Sequence, residues 1–155
     1  MKPRVVVETG VLYGASSAHI LDALDRNGEG TLYSIDLECD PYEPPHDFFV
    51  PSRLQERWRL ILGDSRRRLP VLLRQLGTID HFHHDSLHTA EHMHWEFETA
   101  FAHLPIGGVL TSDDVLVSHS LREIGRPNAF AEFCRSKPVR WATFGNVGIA
   151  VKLDL

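Results

Sequence analysis

Apolar residues along the chain fall into short β-branched runs separated by stretches of helical spacing. Residues 4–8 (RVVVE) are a β-branched run stopped at Gly10, the pattern of a buried strand. Over 15–26, Ala18, Leu21 and Leu24 recur at helical spacing, and Asn27-Gly28 and Gly30 supply the stop. Strands are predicted at 31–36 (TLYSID) and 58–62, then a helix at 67–76 ending at Gly77. A fourth strand, 79–84, is unusually polar for a central one. The strongest helical pattern is 89–104, where Met93, Phe97 and Phe101 recur every fourth residue with Ala100 and Leu104 beside them. Gly107-Gly108 opens a fifth strand at 109–112, and Asn128 is placed to cap a helix running to about 135. Two last strands, 139–144 and 147–153, flank Gly145-Asn146, a connection short enough to demand an antiparallel hairpin.

Strands alternating with helices predict a Rossmann-like, doubly wound α/β fold. Its mostly parallel sheet carries helices on both faces and closes with the C-terminal antiparallel hairpin. At 155 residues the chain reads as one domain, 1–155, large enough to bury its own core without disulfides or metals. Ligands of such folds sit beyond the carboxyl ends of the strands, where strand order reverses. The acids cluster there. The first strand ends in Glu8-Thr9-Gly10, the second in Asp36, the third in Gly63-Asp64-Ser65, the fourth in Asp85 with His88 just beyond, and the fifth in Asp113-Asp114.

Composition narrows the ligand. A net charge of -5 argues against a nucleic-acid partner, which needs a basic footprint. Arg66-Arg67-Arg68 is the one local basic run, either a solvated helix face or a ligand contact. Cys39 and Cys134 form neither a disulfide framework nor a C-x-x-C site, which suggests a reducing compartment. The opening MKPRVVVETG has too short an apolar run for a signal peptide, and no stretch approaches the ~20 apolar residues of a membrane span. The expectation is a cytoplasmic protein with neither a membrane nor a nucleic-acid partner.

A dinucleotide fingerprint fails, because Leu12 and Ala15 stand where G-x-G-x-x-G needs glycines. The pattern present is Glu8-x-Gly10-x-x-x-Gly14-x-Ser16. Gly10 permits a sharp turn and Gly14 a close approach at the helix start, while Glu8 would repel phosphate and suit a cationic or amine-bearing ligand. Asp36 is placed to accept from a ribose diol, or else is a turn residue before Pro41. Asp64-Ser65 can meet an adenine amino group, and Asp64 can equally cap the next helix. A ribose, an adenine and an amino-acid tail without phosphates describe S-adenosylmethionine.

On these residues the chain resembles the class I S-adenosylmethionine-dependent methyltransferases. The stretches that carry the likeness are VVETGVLYGASSAHIL, YSIDLE, LGDS, FHHDSLHTAEHMHWEFE and GGVLTSDDV, from Val5 to about Val151. Within that class it looks most like the metal-dependent small-molecule O-methyltransferases, including those acting on sugars of macrolide and aminocoumarin antibiotics. The resemblance implies Glu8, Gly10, Gly14 and Ser16 around the methionine part of the cofactor, Asp36 at the ribose, and Asp64 and Ser65 at the adenine. It further implies Asp85 beside the cofactor, Asp85, Asp113 and Asp114 on a divalent cation, and His88 as the base of a D-x-x-H motif. Three carboxylates make an all-oxygen site that suits Mg²⁺ better than zinc. Such a cation lowers the pKa of an acceptor hydroxyl while a nearby imidazole takes its proton.

Residues 81–94, HFHHDSLHTAEHMH, hold six histidines and admit other readings. His88-Thr89-Ala90-Glu91-His92 fits the H-x-x-E-H pattern of one class of zinc peptidases, which requires His88 and His92 on one helix face. That reading leaves Asp85, Asp113 and Asp114 unexplained. His92 and His94 are otherwise expected as surface residues of a first helical turn, and His81 and His83 as hydrogen-bonded core groups. Asp113-Asp114 can instead cap a following helix, and Asp85 can start a turn.

Because the first strand begins almost at Met1, the helices that the resemblance implies before it are expected to be missing, and Leu104-Pro105-Ile106-Gly107-Gly108 departs from the family's usual Pro-Gly-Gly order. The cofactor cleft is then expected to be closed by a second copy of the chain or by the Pro-rich segment 39–51 with Tyr42, Phe48 and Phe49. The expected function is metal-assisted O-methyl transfer to a small hydroxylated substrate. The competing functions are a non-catalytic module that binds the cofactor for a partner, and a metal-dependent hydroxylase on the same scaffold.

Overall fold

The computed structural model describes residues 2–115 and 128–154. Strands β1 (Val5–Thr9), β2 (Thr31–Asp36), β3 (Trp58–Leu62), β4 (His81–His84) and β5 (Val109–Ser112) alternate with helices α1 (Ala15–Asn27), α2 (Ser65–Leu76) and α3 (Ala90–Phe101). Helix α4 (Ala129–Arg135) and strands β6 (Val139–Phe144) and β7 (Val147–Lys152) complete the described elements. The seven strands form one sheet in the order β3-β2-β1-β4-β5-β7-β6. All pairings among β1–β5 are parallel, and β7 runs antiparallel between β5 and β6. The doubly wound sheet with its closing hairpin is therefore the observed fold.

Element ends differ from the periodic pattern where caps decide them. Helix α2 starts two residues early because the Asp64 carboxylate accepts from Arg66 N at 2.8 Å, satisfying an otherwise orphaned donor. Helix α3 starts at Ala90 because Thr89 Oγ1 caps His92 N, which leaves His88 in the loop before it. Helix α4 is capped by Asn128 as expected. The 3-10 helix Ser52–Arg57 has no hydrophobic period of its own; it buries only Leu54, against α1.

Successive strand side chains point to opposite faces, so the sheet feeds two cores. On one face Val7, Ile35, Phe82, Leu110 and Ala150 pack against Leu69 and Leu73 of α2, Met93 and Phe97 of α3, and Phe130 and Phe133 of α4. Phe97 is the hub, with ring centroids 5.3 Å from Phe133 and 5.9 Å from Phe130. On the other face Val6 and Leu32 meet Leu21 and Leu24 of α1 together with Val50 and Leu54. Gly148 of β7 seats the Phe130 ring, which lies 2.6 Å from where a Cβ would stand. Among the described residues no helix is long and apolar enough to cross a membrane.

These packing differences predict the cost of truncation. Phe97→Ala should lower the unfolding free energy by about 3–5 kcal/mol in urea titrations, the range for emptying a large aromatic site. Phe144→Ala, on a ring 91% exposed at the hairpin tip, should stay within about 0.5 kcal/mol of the parent.

Candidate active site

The parallel ladder runs one bond past each strand and brings the strand ends level. Gly10 N donates to Ile35 O, Gly63 N to Asp36 O, Asp85 N to Thr9 O and Asp113 N to His84 O. At the reversal of strand order between β1 and β4, these ends enclose a cleft of about 590 Å³. Its lining comprises Gly10, Val11, Leu12, Ile35, Asp36, Leu37, Gly63, Asp64, Ser65, Asp85, Ser86, Leu87, His88 and His92. Three acids and no lysine or arginine face it, and Leu12, Leu37 and Leu87 stand exposed at its rim. A second cleft of equal volume lies outside, over α2, lined by Arg67, Arg68, Val71 and Gln75; of the strand-end acids it touches only Asp64. Arg66 meanwhile pairs with Glu91 at 2.9 Å and sits over the Trp95 ring, so the basic run serves the surface of α2 and α3.

Gly10 makes the cleft floor. Its φ is +83°, and a Cβ there would lie 2.0 Å from the Asp85 carbonyl oxygen and 2.7 Å from Ser86 N. Only glycine lets the loops leaving β1 and β4 touch in this way. Asp36 then shapes the glycine loop: its Oδ2 accepts from Val11 N at 2.7 Å and Leu12 N at 2.8 Å, and its Oδ1 from Leu37 N at 2.7 Å. A carboxylate offers about four acceptor positions, so one remains toward the cleft. Asp36 thus organises the glycine loop as well as lining the cleft, a role its position in the sequence did not disclose.

Glu8, Gly14 and Ser16 do not line the cleft, although they were expected around its ligand. Glu8 is fully buried on the α1 face, where Ser16, Ser17 and Ser34 donate to its carboxylate at 2.7, 2.6 and 2.7 Å. Burial pushes its carboxyl above the usual range despite these hydroxyls. At Gly14 a Cβ would lie 2.4 Å from His46 O, so the close approach it permits is that of segment 39–51. That segment is further tied to the start of α1 by Phe49 N donating to Tyr13 O, and it leaves Tyr42 and Phe48 exposed.

Asp85 carries the electrostatic load of the cleft. Burial raises its carboxyl to about 7, and the charges of Asp113, Glu8, Asp114 and Asp36 push the same way. His88 Nε2 lies 3.7 Å from Asp85 Oδ1, and the ring stands edge-on to His84 with centroids 5.2 Å apart. Beyond β5, Asp113 Oδ1 accepts from Asp114 N, and Asn146 of the β6–β7 turn donates to the Asp114 carboxylate, which sits at φ +51°. Three carboxylates and the repulsion at Asp85 fit a divalent cation in donor chemistry and charge. Among the described residues, however, no three His, Cys, Asp or Glu side chains are gathered as a metal-holding group. The alternative in which Asp113-Asp114 cap a helix falls on residues outside those described.

The histidine run divides by strand face. His81 and His83 share Thr111 Oγ1 at 2.7 and 2.9 Å, and burial pushes their imidazoles down to about 4 and about 3. They are hydrogen-bonded as expected, but they are half-buried on β4 and bond to the neighbouring strand β5, outside both cores. His92 is not the surface residue expected: it is buried, lines the cleft, and binds Glu96 Oε1 at 2.9 Å. Its i,i+4 spacing to Glu96 was the available signal. Because His88 precedes the α3 cap, His88 and His92 do not share a helix face, which removes the zinc-peptidase arrangement.

The family described as "Methyltransferase domain" matches residues 7–115, more than half of the chain. The chain belongs to this methyltransferase domain family. Solved structures share the fold at low identity. MycE methyltransferase from the mycinamycin biosynthetic pathway, in complex with Mg, SAH (S-adenosylhomocysteine) and mycinamycin VI, superposes with a TM-score of 0.72 at 18% identity. That match covers 99% of this chain and 45% of MycE, so the domain spans just under half the MycE length. The O-methyltransferase TomG from Streptomyces achromogenes, involved in tomaymycin synthesis and solved with SAM (S-adenosylmethionine), gives 0.72 at 21% identity, covering 99% of this chain and 74% of TomG. The O-methyltransferase from Bacillus cereus, in complex with SAH, gives 0.67 at 17% identity, covering 97% and 75%. No curated protein matches the chain. The resemblance read in the sequence holds for family and fold.

Two outcomes test the cleft of this methyltransferase domain. Gly10→Ala should destabilise the fold by about 2 kcal/mol or more, from positive-φ strain plus a backbone clash, measured by urea unfolding. The raised Asp85 carboxyl means the folded state keeps a proton that the unfolded chain releases near its ordinary 3.8. Stability should therefore fall as pH rises from about 4 to about 7. In protein stripped of divalent cations, Asp85→Asn should remove that contribution, raising the thermal midpoint at about pH 8 and leaving it near the parent's at about pH 4.

Proposed function

We propose that this domain transfers the methyl group of S-adenosylmethionine to a hydroxyl of a small acceptor, with a divalent cation such as Mg²⁺ assisting. The observation that carries the reading is the cleft lining at the strand-order reversal: three acids, no lysine or arginine, and three exposed leucines. Such a site repels phosphates and accepts a nucleoside joined to a cationic tail. The bound SAM of TomG and the Mg, SAH and mycinamycin VI of MycE support the same chemistry here.

In this reading the remaining acceptor position of Asp36 takes a ribose hydroxyl, Asp64 and Ser65 face the adenine, and Gly10 and Asp85 border the methionine part. Glu8, Gly14 and Ser16 act from behind, holding the glycine loop to α1 and to segment 39–51. The cofactor supplies a methyl group on a sulfonium, already an able leaving arrangement, so the protein must align an oxygen and remove its proton. His88 takes that proton on Nε2, and the neighbouring Asp85 carboxylate stabilises the imidazolium formed. Asp85, Asp113 and Asp114 would hold the cation, whose contribution is to lower the pKa of the acceptor hydroxyl.

A second reading, cofactor binding without metal-assisted turnover, is favoured by the lack of a gathered three-ligand group among the described residues. Chelation separates the two. EDTA should abolish methyl transfer to a panel of hydroxylated acceptors and Mg²⁺ should restore it; turnover that survives EDTA eliminates the metal. Asp36→Ala should weaken S-adenosylhomocysteine binding more than ~10-fold by calorimetry, through loss of the ribose contact and of the pinned Val11–Leu12 amides together. His88→Ala should leave that affinity near the parent's and cut turnover about 10²-fold; full turnover in this variant would exclude His88 as the base.

A further inference from the structure

On a chain of net charge -5, the outer surface of β3 and α2 carries the opposite sign from the segment that leaves β2. The groove over α2 has an apolar floor of Ile61, Val71 and Leu72, and Arg67, Arg68 and Gln75 stand around it. Among the described residues no carboxylate pairs with Arg67 or Arg68, and Arg68 Nε donates to Leu62 O at 3.0 Å. The one acid of the groove, Asp64, is committed to capping α2. Arg59 shares a strand face with Ile61 and extends the positive charge; its guanidinium donates to the carbonyls of Glu56 and Trp58. Because β3 is an edge of the sheet, the groove lies open beside it.

Residues 36–49 hold Asp36, Glu38, Asp40, Glu43 and Asp47, and neither lysine nor arginine. The same stretch shows aromatic surface. Tyr42 is 97% exposed, and Phe48 and Phe49 pack edge to face with each other while remaining exposed. A lone exposed apolar side chain is ordinary, but three clustered aromatics mark a contact surface. The segment is also held in place. The Tyr13 hydroxyl donates to Glu43, Phe49 N donates to Tyr13 O, and the His46 carbonyl closes on Gly14. It therefore presents its acids and rings preformed, which lowers the ordering cost of docking.

We propose that the groove over α2 receives segment 37–49 of a second copy of the chain, in a two-fold dimer where each copy gives its segment and takes its partner's. Charge complementarity selects this occupant: the segment's free acids meet the guanidiniums, and its rings meet the apolar floor and stack beneath those guanidiniums. Placement permits the exchange. Leu37 at the root of the segment and Gly63 and Asp64 at the mouth of the groove line the same cleft. Segment and groove thus share one end of the sheet, and a two-fold axis through that end forms both contacts at once and closes the assembly at two copies. A docked segment borders the cleft at Gly63 and Asp64. The interface does not depend on what the cleft binds.

Sedimentation velocity of the full chain at about 50 µM should show a dimer whose Kd rises about 10-fold or more between about 0.05 and 0.5 M NaCl. Tyr42→Ala, on a ring that fills no core, should raise that Kd about 10-fold or more. Arg67→Glu with Gln75→Glu makes the groove acidic, and Glu38→Arg with Asp40→Arg makes the segment basic. Each reversed variant alone should be monomeric at the same concentration. Mixed in equal amounts they should dimerise again, since one contact then joins the two reversed surfaces and the other joins the two unchanged ones. Recovery on mixing also shows that both variants are folded, and Tyr42→Ala decides if either is not. A parent that stays monomeric overturns the proposal. So does a dimer indifferent to Tyr42→Ala and to both reversals, or folded reversed variants that fail to recover when mixed. Open assemblies that grow with concentration overturn the two-fold closure.

Discussion

The contact of Gly10 with the Asp85–Ser86 peptide is the constraint on which this cleft depends. Two loops leave neighbouring strands at the strand-order reversal, and they approach until no Cβ fits between them. That closeness seals the floor, places the Asp85 carboxyl beside the glycine loop, and turns Val11 and Leu12 so that their amides meet Asp36. A wider separation would leave Asp36 and Asp85, at the ends of β2 and β4, on separate surfaces. The acid-lined character of the cleft, without lysine or arginine, is a consequence of backbone packing as much as of residue choice.

The last two residues of β1 show how the sheet uses its opposite faces. Glu8 points to the α1 side and is held by three serine hydroxyls, while Thr9 points to the α3 side and donates to Glu96. The two buried acids have opposite character. Hydroxyls do not offset the burial of Glu8, whose carboxyl is pushed up, whereas two imidazoles more than offset that of Glu96, whose carboxyl is held down. Directly behind the cleft there are thus two buried acids whose carboxyls are shifted in opposite directions.

Much of the fold was legible because its signals are local. The β-branched runs, the Phe97-centred helical period and the Gly145-Asn146 turn each act over a few residues, and β2, β3, β5 and β6 stand where the pattern put them. The strand-end acids were legible for the same reason, since a strand followed by an acid delivers it to the rim whatever the strand pairs with. Glu8 shows where this logic stops. The last residue of a strand can face rim or interior, and the choice depended on Ser17 and Ser34, which lie on other elements.

His92 and Glu96 make the same point from the other side. Their spacing marks them as neighbours, but a His–Glu pair in the first two helical turns reads equally as a solvent-facing couple. Only the packing of α3 against β1, β4 and α2 turned that face inward and put Thr9, His84 and Ser65 around it. By itself the sequence determined the order and type of the elements and the chemical classes at the strand ends, because periodicity, capping and turn chemistry act within one segment. The tertiary structure alone decided which acids see the cleft and which are buried, because burial is a property of what two or more segments bring together.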